Sequence, residues 1–244
     1  MHLCDYAGTA WRFVEDQYLI STMKLAGSLE DQRTLEELLD DSKPPVPEAC
    51  RGLHFLQFTP FRYRARYASR FRPAGDANGV FYAAEDVETS AAEFCFYRVL
   101  FFLESPGLAM SEATLAVSSF STEVATARAV DLTAADWDGR RGELEDPVAY
   151  GPCHGVMREA RAAGAGLIRF RSVRLKGRCN LAVLECAAFA SAEVSQPEGW
   201  KISVRPDRVI ARKVYGGVDH EFTVAQFMDD PRISRAVAQG ALSA

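Results

Sequence analysis

Residues 79–107 read GVFYAAEDVETSAAEFCFYRVLFFLESPG, and the change of pattern inside this stretch decides the fold class. Residues 79–84 are a short apolar run with two aromatics, which predicts a strand. From about residue 91 to residue 104 the spacing predicts a helix, with Pro106-Gly107 as its stop. Working outward, residues 53–58, 114–120, 127–132, 167–170, 180–189 and 209–215 predict further strands. Residues 153–163 predict a helix ended by Gly164 and Gly166. Strands and helices alternate without a repeating βαβ unit, so the chain reads as α+β with a mixed small-sheet core.

The N-terminal segment reads differently. Trp11, Val14, Tyr18 and Leu25 fall at helical spacing over residues 10–26, ending near Gly27. Ser28 followed by Asp31 predicts the N-cap of a second helix, with Leu35, Leu38 and Leu39 on one face. Lys43-Pro-Pro-Val-Pro47 cannot continue a helix and predicts a linker or rigid turn. The expected organisation is an N-terminal helical element over 1–50, a main domain over 51–215, and a tail over 216–244 packed on that domain.

The whole chain has 244 residues, 28 Lys plus Arg against 33 Asp plus Glu, and a formal net charge of −5. Bulk nucleic-acid or anionic-membrane binders usually lean the other way, so neither partner is expected. The most apolar run, residues 94–103, is too short to span a bilayer and carries Arg98. The start, MHLCDYAGTAWRF, lacks a basic segment followed by an apolar one, so no signal peptide is expected. The six cysteines show no C-x-x-C spacing, which predicts reduced thiols and a cytoplasmic protein.

The charge is unevenly distributed. RYRARYASRFR at 62–72 and RFRSVRLKGR at 169–178 together hold ten of the 28 basic residues and no acid. Two such clusters in an acidic chain point to a local anion site, or to ion pairs with acids elsewhere in the fold. There is no P-loop, no G-x-G-x-x-G and no H-E-x-x-H motif. The histidines are scattered, so no metal is expected. Cys153-His154 is either a nucleophile pair or, more commonly for such a cysteine, a buried and inert thiol.

The remaining motifs run in a fixed order. Phe61-Arg62-Tyr63 is followed by Ser69-Arg70-Phe71, then Val80-Phe81-Tyr82-Ala83-Ala84, then Thr89-x-x-x-Glu93. Ile168-Arg-Phe-Arg-Ser172-Val-Arg174 closes the series. This series resembles the RES domain, a family named for its Arg, Glu and Ser, over roughly residues 55–190. Two positions depart from the family pattern: Ala68 stands where many members have Gly, and Phe71 replaces a frequent Trp.

The resemblance implies a toxin of a bacterial toxin–antitoxin module, on a fold similar to ADP-ribosyltransferase toxins, with 51–215 as the catalytic domain. It implies NAD as substrate, with Glu93, Arg62 and Ser172 in catalytic roles and Arg62, Tyr63, Arg70, Tyr82 and Ser172 around the dinucleotide. The reaction the resemblance implies is cleavage of the nicotinamide–ribose bond, by hydrolysis or phosphorolysis, or transfer of ADP-ribose to a protein such as an enzyme of nucleotide metabolism. The implied partner is a helix-turn-helix antitoxin, with a toxin homodimer as a further possible arrangement. Residues 1–50 would join that interface or pack on the domain.

The chemistry is compatible with these residues. Nicotinamide in NAD is a cationic leaving group that departs neutral, so one carboxylate beside an oxocarbenium-like ribose suffices. Arginine forks match a diphosphate better than lysine does. The same residues also carry plainer readings. Ser90-Ala-Ala-Glu93 is a capping-box pattern, Tyr82 fits a core tyrosine with its hydroxyl at the rim, and surface arginines are common.

Overall fold

The computed structural model describes residues 1–15, 25–105, 107, 108, 110 and 114–244. In chain order the elements are β1 (Cys4–Glu15), α1 (Leu29–Asp41), α2 (Phe55–Arg62), β2 (Phe81–Ala84), α3 (Val87–Leu103), β3 (Thr114–Asp131) and α4 (Arg141–Leu144). They continue with α5 (Gly151–Ala162), β4 (Leu167–Arg171), β5 (Cys179–Val183), β6 (Glu198–Val204), β7 (Arg208–Lys213), β8 (His220–Thr223) and α6 (Pro231–Ala238). The fold is α+β around a mixed eight-stranded sheet in the order β1-β2-β5-β4-β3-β6-β7-β8.

β1 also pairs with β3, from Cys4 opposite Ala129 to Glu15 opposite Val117. Trp11 of β1 meets Ala84 of β2. The pairings β1–β2–β5–β4–β3 therefore close into a ring, and β6–β8 extend from the first half of β3. β3 and β4 are parallel, so the chain between them must cross over, and α4 and α5 lie in that crossover.

The two-residue period of the strands distributes side chains between separate cores. Phe81, Ala83, Leu181 and Val183 face one core with Leu56 and Phe61 of α2. Val80, Ala182, Ile168 and Phe170 face the other way, against Val156, Met157 and Ala160 of α5. α3 packs Phe96 and Val99 on Trp200, Ile202 and Phe222 of the β6–β8 extension. Gly79 allows α2 to approach β2 closely: a Cβ there would lie 2.2 Å from Phe61 Cα and 2.6 Å from the Pro60 carbonyl.

Several expectations are corrected. Residues 10–15 are part of β1, not of a helix, while residues 16–24 of that expected helix lie outside the described residues. β1 is covered on both faces, with Ala10 in one core and Phe13 in another, so its alternation is not the simple apolar-in, polar-out kind. The second helix is present as α1, capped by Ser28 accepting from the Asp31 N–H. Residues 55–62 form α2 rather than a strand, because His54 and Gln57 make a reciprocal capping box. The two strands expected over 114–132 are one 18-residue strand. The strand expected over 180–189 stops at Val183 and continues into a short 3-10 turn at 186–188. Pro106 of the expected stop lies outside the described residues.

Cys50 and Cys186 form a disulfide across 136 residues of sequence, so the expectation of six reduced thiols is wrong for this pair. Their spacing in sequence is uninformative because the fold alone brings the two Cα atoms to 5.2 Å.

Candidate active site

α3 begins earlier than the sequence pattern implied. Asp86 is its N-cap, accepting from the Thr89 N–H at 2.8 Å, so Ser90 and Glu93 lie inside the helix. The capping-box reading of Glu93 is thereby excluded. Ser90 Oγ accepts from the Phe13 N–H instead, tying β1 to α3.

Glu93 Oε1 accepts two hydrogen bonds, from Ser172 Oγ at 2.8 Å and from Asn180 Nδ2 at 2.6 Å. The Ser172 hydroxyl also accepts from the N–H groups of Arg174 and Leu175, at 3.2 and 3.1 Å. No side chain among the described residues bonds Glu93 Oε2. The carboxylate is thus held by one oxygen while the other stays free. Asn180 Oδ1 is buried without a partner among the described residues, an acceptor of the kind that a ligand hydroxyl or amide satisfies.

Glu93 lines a cleft of about 380 Å³, within the usual range for small-molecule sites. It is the one carboxylate among the lining residues; Arg12, Arg70 and Arg174 are the cations, and Tyr82, Tyr97 and Tyr150 the main aromatic walls. Glu93 and Tyr97, four apart, share one face of α3. Arg70 is brought in by a tight turn closed by Ser69 and Arg72 bonding each other's backbone. Its guanidinium donates to the Leu144 carbonyl at 2.6 Å and lies 5.2 Å from the Tyr150 ring centroid. The substituted Phe71 is fully buried, edge-on to Phe170 at 4.9 Å.

The Tyr82 hydroxyl bonds Ser69 Oγ at 3.0 Å and accepts from the Phe71 N–H at 2.8 Å. Burial pushes its pKa up to about 12, so it stays protonated at neutral pH. Tyr82 therefore clamps the Arg70 turn and forms a wall of the cleft.

A second cavity, of about 500 Å³, adjoins the first and shares Arg12, Ala68, Ser69 and Tyr82 with it. Arg64, Arg66, Arg72 and Tyr63 line it, with no acid.

The expected site residues thus divide. Arg70, Tyr82 and Glu93 line the first cleft, Ser172 stands behind Glu93, and Tyr63 lines the second cavity. Arg62 lines neither: its guanidinium bonds the Pro44 carbonyl and lies 3.6 Å from Asp40 Oδ1. Cys153 and His154 do not pair. The Cys153 thiol is buried and donates to the Leu144 carbonyl, while the His154 ring contacts the Ser69 carbonyl.

Four contributors escaped the sequence reading, one of them Tyr150, which stands at the start of α5 with no signal of its own. Asn180 is a lone amide at the start of an apolar strand. Tyr97 has the α3 spacing from Glu93 as its signal. Arg12 was hidden by the helical reading of β1, where Cys4, Tyr6, Ala10 and Val14 define a two-residue register that Arg12 shares.

Fold and cleft together define an α+β protein with a single-carboxylate, arginine-walled cleft of small-molecule size. Residues 46–205 match the family model of the RES domain. The chain belongs to the RES domain family. Its structure is similar, at 12% identity and a TM-score of 0.43, to a chain of the crystal structure of the M. tuberculosis MbcT–MbcA toxin–antitoxin complex, covering 93% of this chain and 90% of that one. No curated protein matches the sequence. No helix among the described residues is long and apolar enough to cross a membrane.

Proposed function

We propose that this chain is an NAD-cleaving toxin that breaks the nicotinamide–ribose bond and is neutralised by a cognate antitoxin. Family membership supports the substrate class and the antitoxin. The observation that carries the reading is Glu93, fixed through Oε1 by Ser172 and Asn180, alone among carboxylates in a cleft walled by arginine and tyrosine.

In this reading the C–N bond breaks with its electron pair passing to the nicotinamide nitrogen, which leaves neutral. The free Glu93 oxygen stabilises the positive charge that develops on the ribose. Water or phosphate then attacks the anomeric carbon, and an attacking water gives its proton to solvent. Tyr97 and Tyr150 offer faces to a flat ring, and Asn180 Oδ1 offers an acceptor to a hydroxyl or amide.

The test is nicotinamide release from NAD by the full chain without antitoxin, with and without phosphate. The Glu93→Gln variant is expected to lose a hundredfold or more in turnover. Release in buffer alone identifies hydrolysis, and release that requires phosphate identifies phosphorolysis. Absence of release from NAD alone, with free nicotinamide and labelled ADP-ribose on a protein appearing only when lysate is added, replaces hydrolysis or phosphorolysis by transfer. Unchanged release by Glu93→Gln overturns the role of that residue.

A further inference from the structure

Arg12 is the one charged residue in the register of β1 that faces Phe81 and the Ala10 core. Cys4, Tyr6, Ala10 and Val14 occupy the same register and pack with that core. A guanidinium at such a position is costly unless something compensates it. Among the described residues it has no carboxylate partner: it donates to the Tyr82 carbonyl at 3.3 Å and lies 4.8 Å from the Phe81 ring centroid. Burial lowers its pKa to about 10, which still leaves it charged at neutral pH.

Its position is equally specific. Arg12 lines both cavities, on the wall they share. On one side lies Glu93; on the other lie three more arginines and Tyr63, with no acid. A molecule with its reacting ribose at Glu93 and its other half in the second cavity has its middle at the wall the two share, where Arg12 is the one charged residue beside Ala68, Ser69 and Tyr82. In a dinucleotide that middle is the diphosphate.

We propose that Arg12, which lies outside the family-matched segment 46–205, is the residue that holds the diphosphate of the substrate as it passes from the Glu93 cleft into the arginine-lined cavity. This rests on the NAD reading of the cleft, and it adds a binding residue from the N-terminal strand. The fork geometry suits two phosphate oxygens, and the anion supplies the counter-charge that the fold leaves out.

The test is calorimetric titration of the full chain with ADP-ribose, which carries the diphosphate but has no nicotinamide to release. Arg12→Gln is expected to weaken ADP-ribose binding at least tenfold, and Arg12→Lys by less, because it keeps the charge and loses the fork. The melting temperature of unliganded Arg12→Gln is expected to be unchanged or higher, since the fold loses an uncompensated cation. Equal affinity in wild type and Arg12→Gln overturns the proposal. So does a loss of affinity accompanied by a lower melting temperature, which marks a structural role, and so does a wild type that does not bind ADP-ribose. A chain that fails to release nicotinamide but binds ADP-ribose through Arg12 overturns the cleavage reading and leaves this one standing.

Discussion

The Ser172 hydroxyl accepts from two backbone N–H groups, so its single proton is committed to Glu93 Oε1. Asn180 gives the same oxygen a second bond. Each is a hydrogen bond to a charged group, worth about 1.5–3 kcal/mol. Ser172→Ala is expected to lower kcat for nicotinamide release by about ten- to a hundredfold with little change in KM, because Ser172 stands behind the carboxylate and its loss loosens it, whereas Asn180→Ala also removes an acceptor that faces the substrate and should lower kcat and raise KM together. Steady-state kinetics over a range of NAD concentrations checks this split, and a change confined to KM would contradict it. The residue scale is also where the sequence was most ambiguous. The arginine segments at 62–72 and 169–178 look alike, yet the fold uses them differently. Arg169, Arg171, Arg174, Lys176 and Arg178 all pair with acids. In the first segment Arg62 pairs with Asp40, whereas Arg64, Arg66, Arg70 and Arg72 bond carbonyls or lie on rings, with no ion pair among the described residues. Only the fold places the acids, so composition could not separate an ion-paired cluster from an anion site.

Among the elements, α2 shows how local chemistry and long-range contacts share the work of placing the site. His54 and Gln57 start the helix, Gly79 lets it lie against β2, and the Cys50–Cys186 bond anchors the turn before it. Cross-linking residues so far apart restricts the unfolded chain, with a typical contribution of about 2–5 kcal/mol. The double variant Cys50→Ser/Cys186→Ser is therefore expected to melt lower than the oxidised wild type, and reductant should bring the wild type down to the same temperature. Thermal unfolding with and without reductant checks this; an unchanged wild type would mean that the bond stabilises nothing. The helices α3 and α5 were legible from their apolar spacing and stop signals. The start of α3 was not, since Ser90 and Asp86 are both good caps and only the register with Phe13 and Asn180 distinguishes them. β1 was missed because each of its faces meets a different core, which blurs the period that would mark a strand.

At the scale of the whole molecule, the C-terminal helix is tied to the floor of the cleft by a buried charge cluster. Arg174 is 4% exposed and Asp230 0%; they meet at 3.0 Å, and Arg232 adds a second bond to the same carboxylate. The Arg174 guanidinium also lies 3.4 Å from the Phe96 ring centroid. Burial works to raise the Asp230 pKa, but the hydrogen bonds from Arg232 and the charges of both arginines outweigh it and hold the carboxyl below the usual aspartate value. A carboxyl depressed in the folded state contributes stability that is full above its unfolded pKa and is lost as pH falls through the folded one. Asp230→Asn is expected to cost about 3–5 kcal/mol at neutral pH by leaving Arg174 buried without its counter-charge. It should also flatten the fall of melting temperature below about pH 4. Melting curves from pH 2 to 7 for both proteins check the two effects together.

The ring of strands has a consequence for the moment at which the protein becomes active. β1 leaves the ribosome well before its long partner β3, which ends at Asp131, and Ser172 and Asn180 follow later still. A nascent chain that already displays Glu93 has neither of the groups that orient it, and β1 waits for its long partner β3 while more than a hundred further residues are made. At about 5–20 residues per second that interval lasts several seconds or more. Fragments from interrupted translation would therefore lack the assembled site, and a cell making this protein has that delay in which to supply whatever restrains it.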